Sequence, residues 1–215
     1  MKRYSMINID IISDTVCPWC FIGIKRLEKA ITNFNSTKFN ITWHPFQLNP
    51  EMPKAGVDRN LYLSSKFGSK ERAKEIYKQI ELAGSGSGIK FAFDKISIMP
   101  NSLNTHILLE YAKKFNLQNE IANDLFINYF TKGMNISDNE TLIFIANKNG
   151  INNFNEDILK NSNNLKNIVQ ESDIASRKKG ITGVPFFIIN NKYAISGAQE
   201  NEIFEKIFET CLLED

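Results

Sequence analysis

Residues 6–13, Met-Ile-Asn-Ile-Asp-Ile-Ile-Ser, alternate and are rich in β-branched side chains, as a half-buried strand requires. After Asp14-Thr15-Val16 comes Cys17-Pro18-Trp19-Cys20, and then Phe21, Ile24, Leu27, Ile31 and Phe34 recur at helical spacing among charged residues. A strand that turns directly into an amphipathic helix, with two thiols at the turn, admits few topologies. Residues 38–48 alternate again as a second strand, and Pro45 marks the C-terminal half of that run as irregular or edge-like. The chain therefore begins β-α-β.

Beyond Pro50 and Pro53 the pattern changes to helices, expected over 69–83, 102–115, 119–131, 139–149 and about 163–179. Gly133, Gly150 and Gly180 fall just past helix ends, where a left-handed cap favours glycine. Gly84-Ser85-Gly86-Ser87-Gly88 reads as a mobile loop that ends the first of these helices. It lacks the Lys-Ser/Thr ending of a phosphate loop. The end returns to β: a strand over 184–189, an Asn190-Asn191 turn, a strand over 193–196, and a helix striped by Ile203, Phe204, Ile207, Phe208 and Leu212. The expected organisation is an α/β unit split into 1–50 and 176–215, with a helical insertion over 51–175.

The bulk numbers exclude several classes. Lys and Arg total 26 against 24 Asp and Glu, so a net charge of +2 offers no field for nucleic acid or an anionic membrane surface. With 42% hydrophobic and 23% charged residues, a folded core is expected rather than disorder. The first dozen residues hold Lys2, Arg3 and Asp10 and no unbroken apolar run, so neither a secretory signal nor a membrane span is expected. That places the chain in the cytoplasm, where a close cysteine pair is more often catalytic or metal-binding than structural. Zinc needs a second ligand pair, and His44, His106 and Cys211 do not supply one at ligand spacing. Metal is therefore not expected.

A dithiol catalyst needs one reactive thiol and one that resolves the mixed disulfide. Cys17 stands at the helix start, where free N–H groups and the helix dipole stabilise an anion, so it is the expected nucleophile. Cys20 lies nearly one turn further in, more buried, and is the expected resolving thiol. Pro18 suits the first helical turn because its missing N–H is not needed there. Asp14 has two readings, a turn-former after the strand or a proton-transfer group.

These residues resemble the FrnE-like branch of the DsbA family. The resemblance rests on Ser13-Asp14-Thr15-Val16-Cys17-Pro18-Trp19-Cys20-Phe21-Ile22-Gly23, on Pro45-Phe46-Gln47-Leu48-Asn49-Pro50, on Asn101, Ser102 and His106, on 180–187, and on Ser196-Gly197-Ala198-Gln199. It implies a thioredoxin-like fold with a large inserted all-helical domain above the cysteines, and dithiol–disulfide exchange with no bound cofactor. Glutathione is then a candidate redox partner, and proteins or small thiols and disulfides are the substrates. Pro185 takes the place of the family's cis-proline, and Val184 then offers its backbone to an extended substrate. A lone proline at a strand start is ordinarily trans, and the pairing with the cysteine helix reverses that expectation. Pro18, Trp19, Val184 and Phe186 are the expected substrate contacts, with Phe187 as a further platform residue or core.

Departures from the family pattern are Ser102 for Thr, Thr105 for Ala and Ile107 for Arg. Many thioredoxin-fold enzymes also bury an acid six residues before the first cysteine, where this chain has Ile11. Trp19 offers only an indole N–H, unlike the histidine that strongly oxidising relatives place between their cysteines. Two other readings stand beside exchange. One is a glutathione-dependent isomerase or transferase, like the kappa-class and 2-hydroxychromene-2-carboxylate isomerase relatives, which carry Ser in place of Cys17 and lack the second cysteine. The other is a catalytically silent binding module, against which intact Cys17, Cys20 and Pro185 argue. Cys211 reads as a small buried hydrophobe, and His106 as a hydrogen-bonded helix residue.

Overall fold

The computed structural model describes residues 6–214, so the basic pair Lys2 and Arg3 lies outside it. Strand β1 (Met6–Ser13) is central because Ile7, Ile9, Ile11 and Ile12 are all buried, giving it packing on both faces. It pairs in parallel with β2 (Lys38–Pro45), with Ile11 opposite Trp43 and Ser13 opposite Pro45. Helix α1 (Pro18–Thr32) is the crossover between them. Strand β2 ends at Pro45, three residues short of the expected 48, because proline cannot extend the ladder.

Between β2 and the returning strands lie a small ribbon, β3 (Val57–Asp58) and β4 (Ile98–Met99), and seven helices among the described residues. These are α2 (Arg59–Phe67), α3 (Lys70–Gly86), α4 (Leu103–Lys113), α5 (Gln118–Phe130), α6 (Asn139–Lys148), α7 (Glu156–Asn161) and α8 (Asn163–Lys178). Side chains of Asp58, Ser69, Asp138 and Asn155 accept backbone N–H bonds at the starts of α2, α3, α6 and α7. The expected loop at 84–88 is corrected here: α3 continues through Gly86. Gly84 is the residue that fits, because a Cβ there would meet the Phe91 ring at 2.2 Å.

Strands β5 (Phe186–Ile189) and β6 (Tyr193–Ser196) then complete the sheet in the order β2-β1-β5-β6, with β5 antiparallel to both neighbours. The strand expected from 184 begins two residues later, and the Val184–Pro185 peptide bond before it is cis. Asn190 and Asn191 both hold positive φ, 50° and 54°, which is the two-residue hairpin turn that matches strand twist. Helix α9 (Asn201–Glu214) closes the chain against α1, burying Phe204, Phe208 and Cys211.

One core runs from the sheet through α1 into the helical segment. Phe21 stacks on Phe126 of α5 at 5.2 Å between ring centroids and lies 6.2 Å from Phe130. The cysteine helix is thus fixed by the sheet on one side and by aromatic contacts to α5 on the other.

Candidate active site

Burial orders the two thiols. Cys17 is the N-cap residue of α1, with extended backbone (φ −95°, ψ 114°) and no side-chain cap. Its amide donates to Asp14 O at 3.0 Å, and its own carbonyl accepts from Cys20 and Phe21, so the 14–17 turn leads straight into the helix. Pro18 occupies the first helical position. Cys17 is 5% exposed and Cys20 is 0% exposed. Burial, then hydrogen bonding and charge from Cys17, push the Cys20 thiol well above the ordinary cysteine range. The Ser13 hydroxyl and the Asp14 amide act on the Cys20 sulfur in the opposite direction.

The cis-proline loop faces the first thiol. Cys17 Sγ lies 3.6 Å from Val184 O and donates to it. Pro185 comes close to α1 because residue 23 is glycine: a Cβ there would sit 2.9 Å from Pro185 Cγ and 3.2 Å from Phe187 Cζ. The Gly197 amide donates to Pro185 O at 2.9 Å, so the start of β5 is held from its partner strand as well. Arg26 of α1 donates to Ala198 O and pairs with Glu200 at 2.6 Å, tying the cysteine helix to the end of the hairpin.

The residues expected at the site separate into three groups. Cys17, Cys20, Val184 and Pro185 come together. Trp19 projects outward at 39% exposure and Phe186 is half-buried, while Pro18 is buried. Phe187 is fully buried against Phe204 at 5.0 Å and belongs to the core, so its platform reading is corrected. That follows from the strand alternation, which turns Phe187 inward and Phe186 outward.

Behind the thiols is a polar layer whose members Asp14 and His106 stood out separately in the sequence, but whose assembly did not. Asp14 is 0% exposed, and its carboxylate accepts the amides of Val16 at 3.3 Å and Leu48 at 2.7 Å. It is thus both a turn residue and an anchor for the 46–50 segment. His106 of α4 is 2% exposed with Nε2 3.6 Å from Asp14 Oδ1, and neither ring nitrogen has a hydrogen-bond partner among the described residues. The expectation of a hydrogen-bonded histidine is therefore corrected, because α4 seats the ring against β1 and β2 with no donor or acceptor in bonding range. Thr105, next to it, bonds Thr15 at 2.7 Å between hydroxyl oxygens, locking α4 onto the cysteine loop. Asp173 of α8 accepts the Gln47 amide at 3.0 Å, and the Arg177 guanidinium lies 4.2 Å over the Phe46 ring. Ser13-Asp14 directly before the cysteine loop and His106 in the 101–106 stretch were the signals in the sequence that pointed to this layer.

Comparison with known proteins agrees with this architecture. Residues 8–209 match the DSBA-like thioredoxin domain. The uncharacterized protein YwbO of Bacillus subtilis is 26% identical over 210 residues, covering 93% of this chain and 94% of that protein. A probable DsbA oxidoreductase of Streptomyces coelicolor superposes with a TM-score of 0.87 at 24% identity, over 97% of this chain and 91% of its own. The cytosolic disulfide reductase DsbM of Pseudomonas aeruginosa, solved with GSH, gives 0.68 at 14% identity, over 95% and 98%. A 2-hydroxychromene-2-carboxylate isomerase gives 0.72 at 14%, over 96% and 97%. Among the described residues, no helix is long and apolar enough to cross a membrane. With its cysteine helix, its cis-proline hairpin and a family match over most of its length, this chain belongs to the DSBA-like thioredoxin domain family.

Proposed function

We propose that the chain is a thiol–disulfide oxidoreductase of the FrnE-like branch, with Cys17 as nucleophile and Cys20 as resolving thiol. The observation that carries this reading is the placement of the Cys17 sulfur on the Val184 carbonyl with the Cys20 sulfur directly behind it. The Cys17 thiolate attacks one sulfur of a substrate disulfide, forming a Cys17–substrate bond and releasing the other sulfur as a thiolate. Cys20, losing its proton, then attacks Cys17. The Cys17–Cys20 bond forms, the substrate leaves as a second thiolate, and two electrons have passed from enzyme to substrate. The reverse sequence oxidises a dithiol.

Trp19, Val184 and Phe186 form the rim on which an extended substrate lies, with Pro18 buried at the helix start rather than on the rim, and residues 51–175 roof it as an insertion. The chemistry requires no resident cofactor. Glutathione serves as small-thiol partner in a reducing, cytoplasmic setting, a reading supported by similarity to a cytosolic reductase solved with GSH.

The test is equilibration in glutathione buffers followed by alkylation and mass measurement. Wild type should interconvert between dithiol and a Cys17–Cys20 disulfide, Cys20→Ser should trap a Cys17–glutathione adduct, and Cys17→Ser should do neither. A potential well above about −220 mV marks an oxidant or isomerase, and one near or below about −270 mV a reductase. If wild type binds glutathione but never closes the disulfide, the reading gives way to a glutathione-dependent isomerase or transferase. Binding of a partner protein that is indifferent to Cys17→Ser would leave only a binding module.

A further inference from the structure

The resolving step needs a base, and Cys20 has no solvent to supply one. Its sulfur is completely buried, and Ile11 and Ile22, neighbours in the same core, offer no acceptor. Close by are three buried polar atoms with bonding capacity left over among the described residues. Ser13 Oγ is buried with its hydroxyl acting on the Cys20 sulfur, one of two groups that favour charge there, and with no other hydrogen-bond partner among the described residues. His106 is buried with both ring nitrogens unpartnered.

Ser13 and His106 line one cavity of about 10 Å³, together with His44, Glu110 and Gln118. That is the space a single water molecule occupies. At its outer rim, His44 and Glu110 have side chains that are 33% and 18% exposed, so a proton inside has a route to solvent. The charged and titratable groups facing His106 are Asp14 from the cysteine loop, His44 from β2 and Glu110 from its own helix; α5 contributes the neutral Gln118. Helices α6 and α8, which also pack on α4, place no titratable side chain in the lining.

We propose that His106, seated against Asp14, is the proton acceptor for Cys20, receiving the thiol proton through the Ser13 hydroxyl and a water in the cavity that Ser13 and His106 share, as Cys20 attacks the mixed disulfide on Cys17. Asp14 is the less available base because both its oxygens already accept backbone amides. Its role is to face the imidazole and compensate the charge that develops there. With the Nε2 hydrogen turned to Asp14, Nδ1 keeps the lone pair and takes the proton. The Cys20 sulfur then carries the electron pair into the new Cys17–Cys20 bond, and the substrate sulfur departs with the pair of the broken bond. His106 afterwards releases its proton through the cavity toward His44 and Glu110. In the reverse direction protonated His106 returns the proton to Cys20 as the disulfide opens.

This rests on the dithiol reading of Cys17 and Cys20, and the experiment separates the two. Reduced protein is mixed with oxidised glutathione, quenched with acid at intervals, and the Cys17–glutathione adduct and closed disulfide are counted by mass. In His106→Gln the adduct should form at the wild-type rate, read in a Cys20→Ser background, and then resolve at least about tenfold more slowly near neutral pH. Its resolving rate should rise about tenfold per pH unit, following the Cys20 thiolate fraction alone, where the wild-type rate is much flatter. Ser13→Ala, which leaves His106 and the fold's packing in place, should show the same slow, steep resolution. A purely structural role would slow neither step selectively and would leave the pH slope unchanged. Wild-type resolution rates and slopes in both variants overturn the inference while leaving the dithiol reading intact. Absence of any Cys17–glutathione adduct in wild type overturns the dithiol reading, and the proton route falls with it.

Discussion

The sulfur of Cys17 lies 3.6 Å from the carbonyl oxygen of Val184, a contact between the start of the first helix and the loop that enters the fifth strand. It joins two segments far apart in sequence. Cys17 keeps 5% of its surface exposed and Cys20 none.

That arrangement predicts ordered alkylation. Burial and the neighbouring Cys17 hold the Cys20 thiol well above the ordinary cysteine range, so at about pH 8 its thiolate fraction is small as well as inaccessible. Iodoacetamide at that pH should label Cys17 first, and peptide mapping should find Cys20 unmodified until the protein is unfolded. Equal labelling of both in the native state would contradict the assigned environments.

Gly23→Ala tests how the proline loop is seated. The added Cβ would meet Pro185 Cγ at 2.9 Å and Phe187 Cζ at 3.2 Å, one just before β5 and the other within it. Overpacking of this kind costs about 1–3 kcal/mol. The urea midpoint should fall accordingly, and exchange with glutathione should slow because Val184 is displaced from Cys17. A variant as stable and as fast as wild type would show that the loop yields without consequence.

The ends of the molecule were legible in the sequence and the middle only partly so. Strands β1 and β6 and helices α1 and α9 carry clean two-fold or 3.6-fold periods, and the Cys17–Pro185 association followed from motifs. Helix α2 went unread because it buries only Arg59 and Leu63 and leaves Leu61 exposed, so no stripe forms. Helix α7, Glu156–Asn161, is too short to display a period. The glycines at 84 and 86 read as a break, yet Gly84 is dictated by the Phe91 ring pressed against α3, a tertiary cause without a local trace. The same holds for His106: its identity was visible in the sequence, but that its ring lies unpartnered beside Asp14 depends on how α4 crosses the sheet.

The Thr15–Thr105 bond should be asymmetric to mutation. Thr105 Oγ1 already donates to Ser102 O at 2.6 Å, so Thr15 must be the donor across the 2.7 Å contact. Thr105→Val strands a buried donor and should cost about 1–3 kcal/mol. Thr15→Val leaves Thr105 still bonded to Ser102 and should cost less. In the double variant the two losses should fall short of additivity, with a coupling of about 0.5 kcal/mol or more in a denaturant-melt cycle. Strict additivity would mean that α4 is not held to the cysteine loop by this pair.

Alkaline stability has two layers with separate causes. Burial raises the Tyr129 hydroxyl far above its ordinary range, and Cys20 is raised in the same way. Above an unfolded-state value of about 8.5 for cysteine and about 10 for tyrosine, the unfolded chain loses protons that the folded chain retains. The unfolded state then binds fewer protons, so the free energy of unfolding falls as pH rises, and the contribution is fully present only below those values. The reduced protein should therefore show a urea midpoint that declines from about pH 8.5 and more steeply from about pH 10. Cys20→Ala should flatten the first segment. Tyr129→Phe, which gives up a bond to Ile98 O of 3.4 Å, should flatten the second only in part, since burial raises Tyr77 as well, at the cost of a lower midpoint at neutral pH. A wild-type midpoint that stays level to about pH 11 would show that neither group is held in its protonated form by the fold.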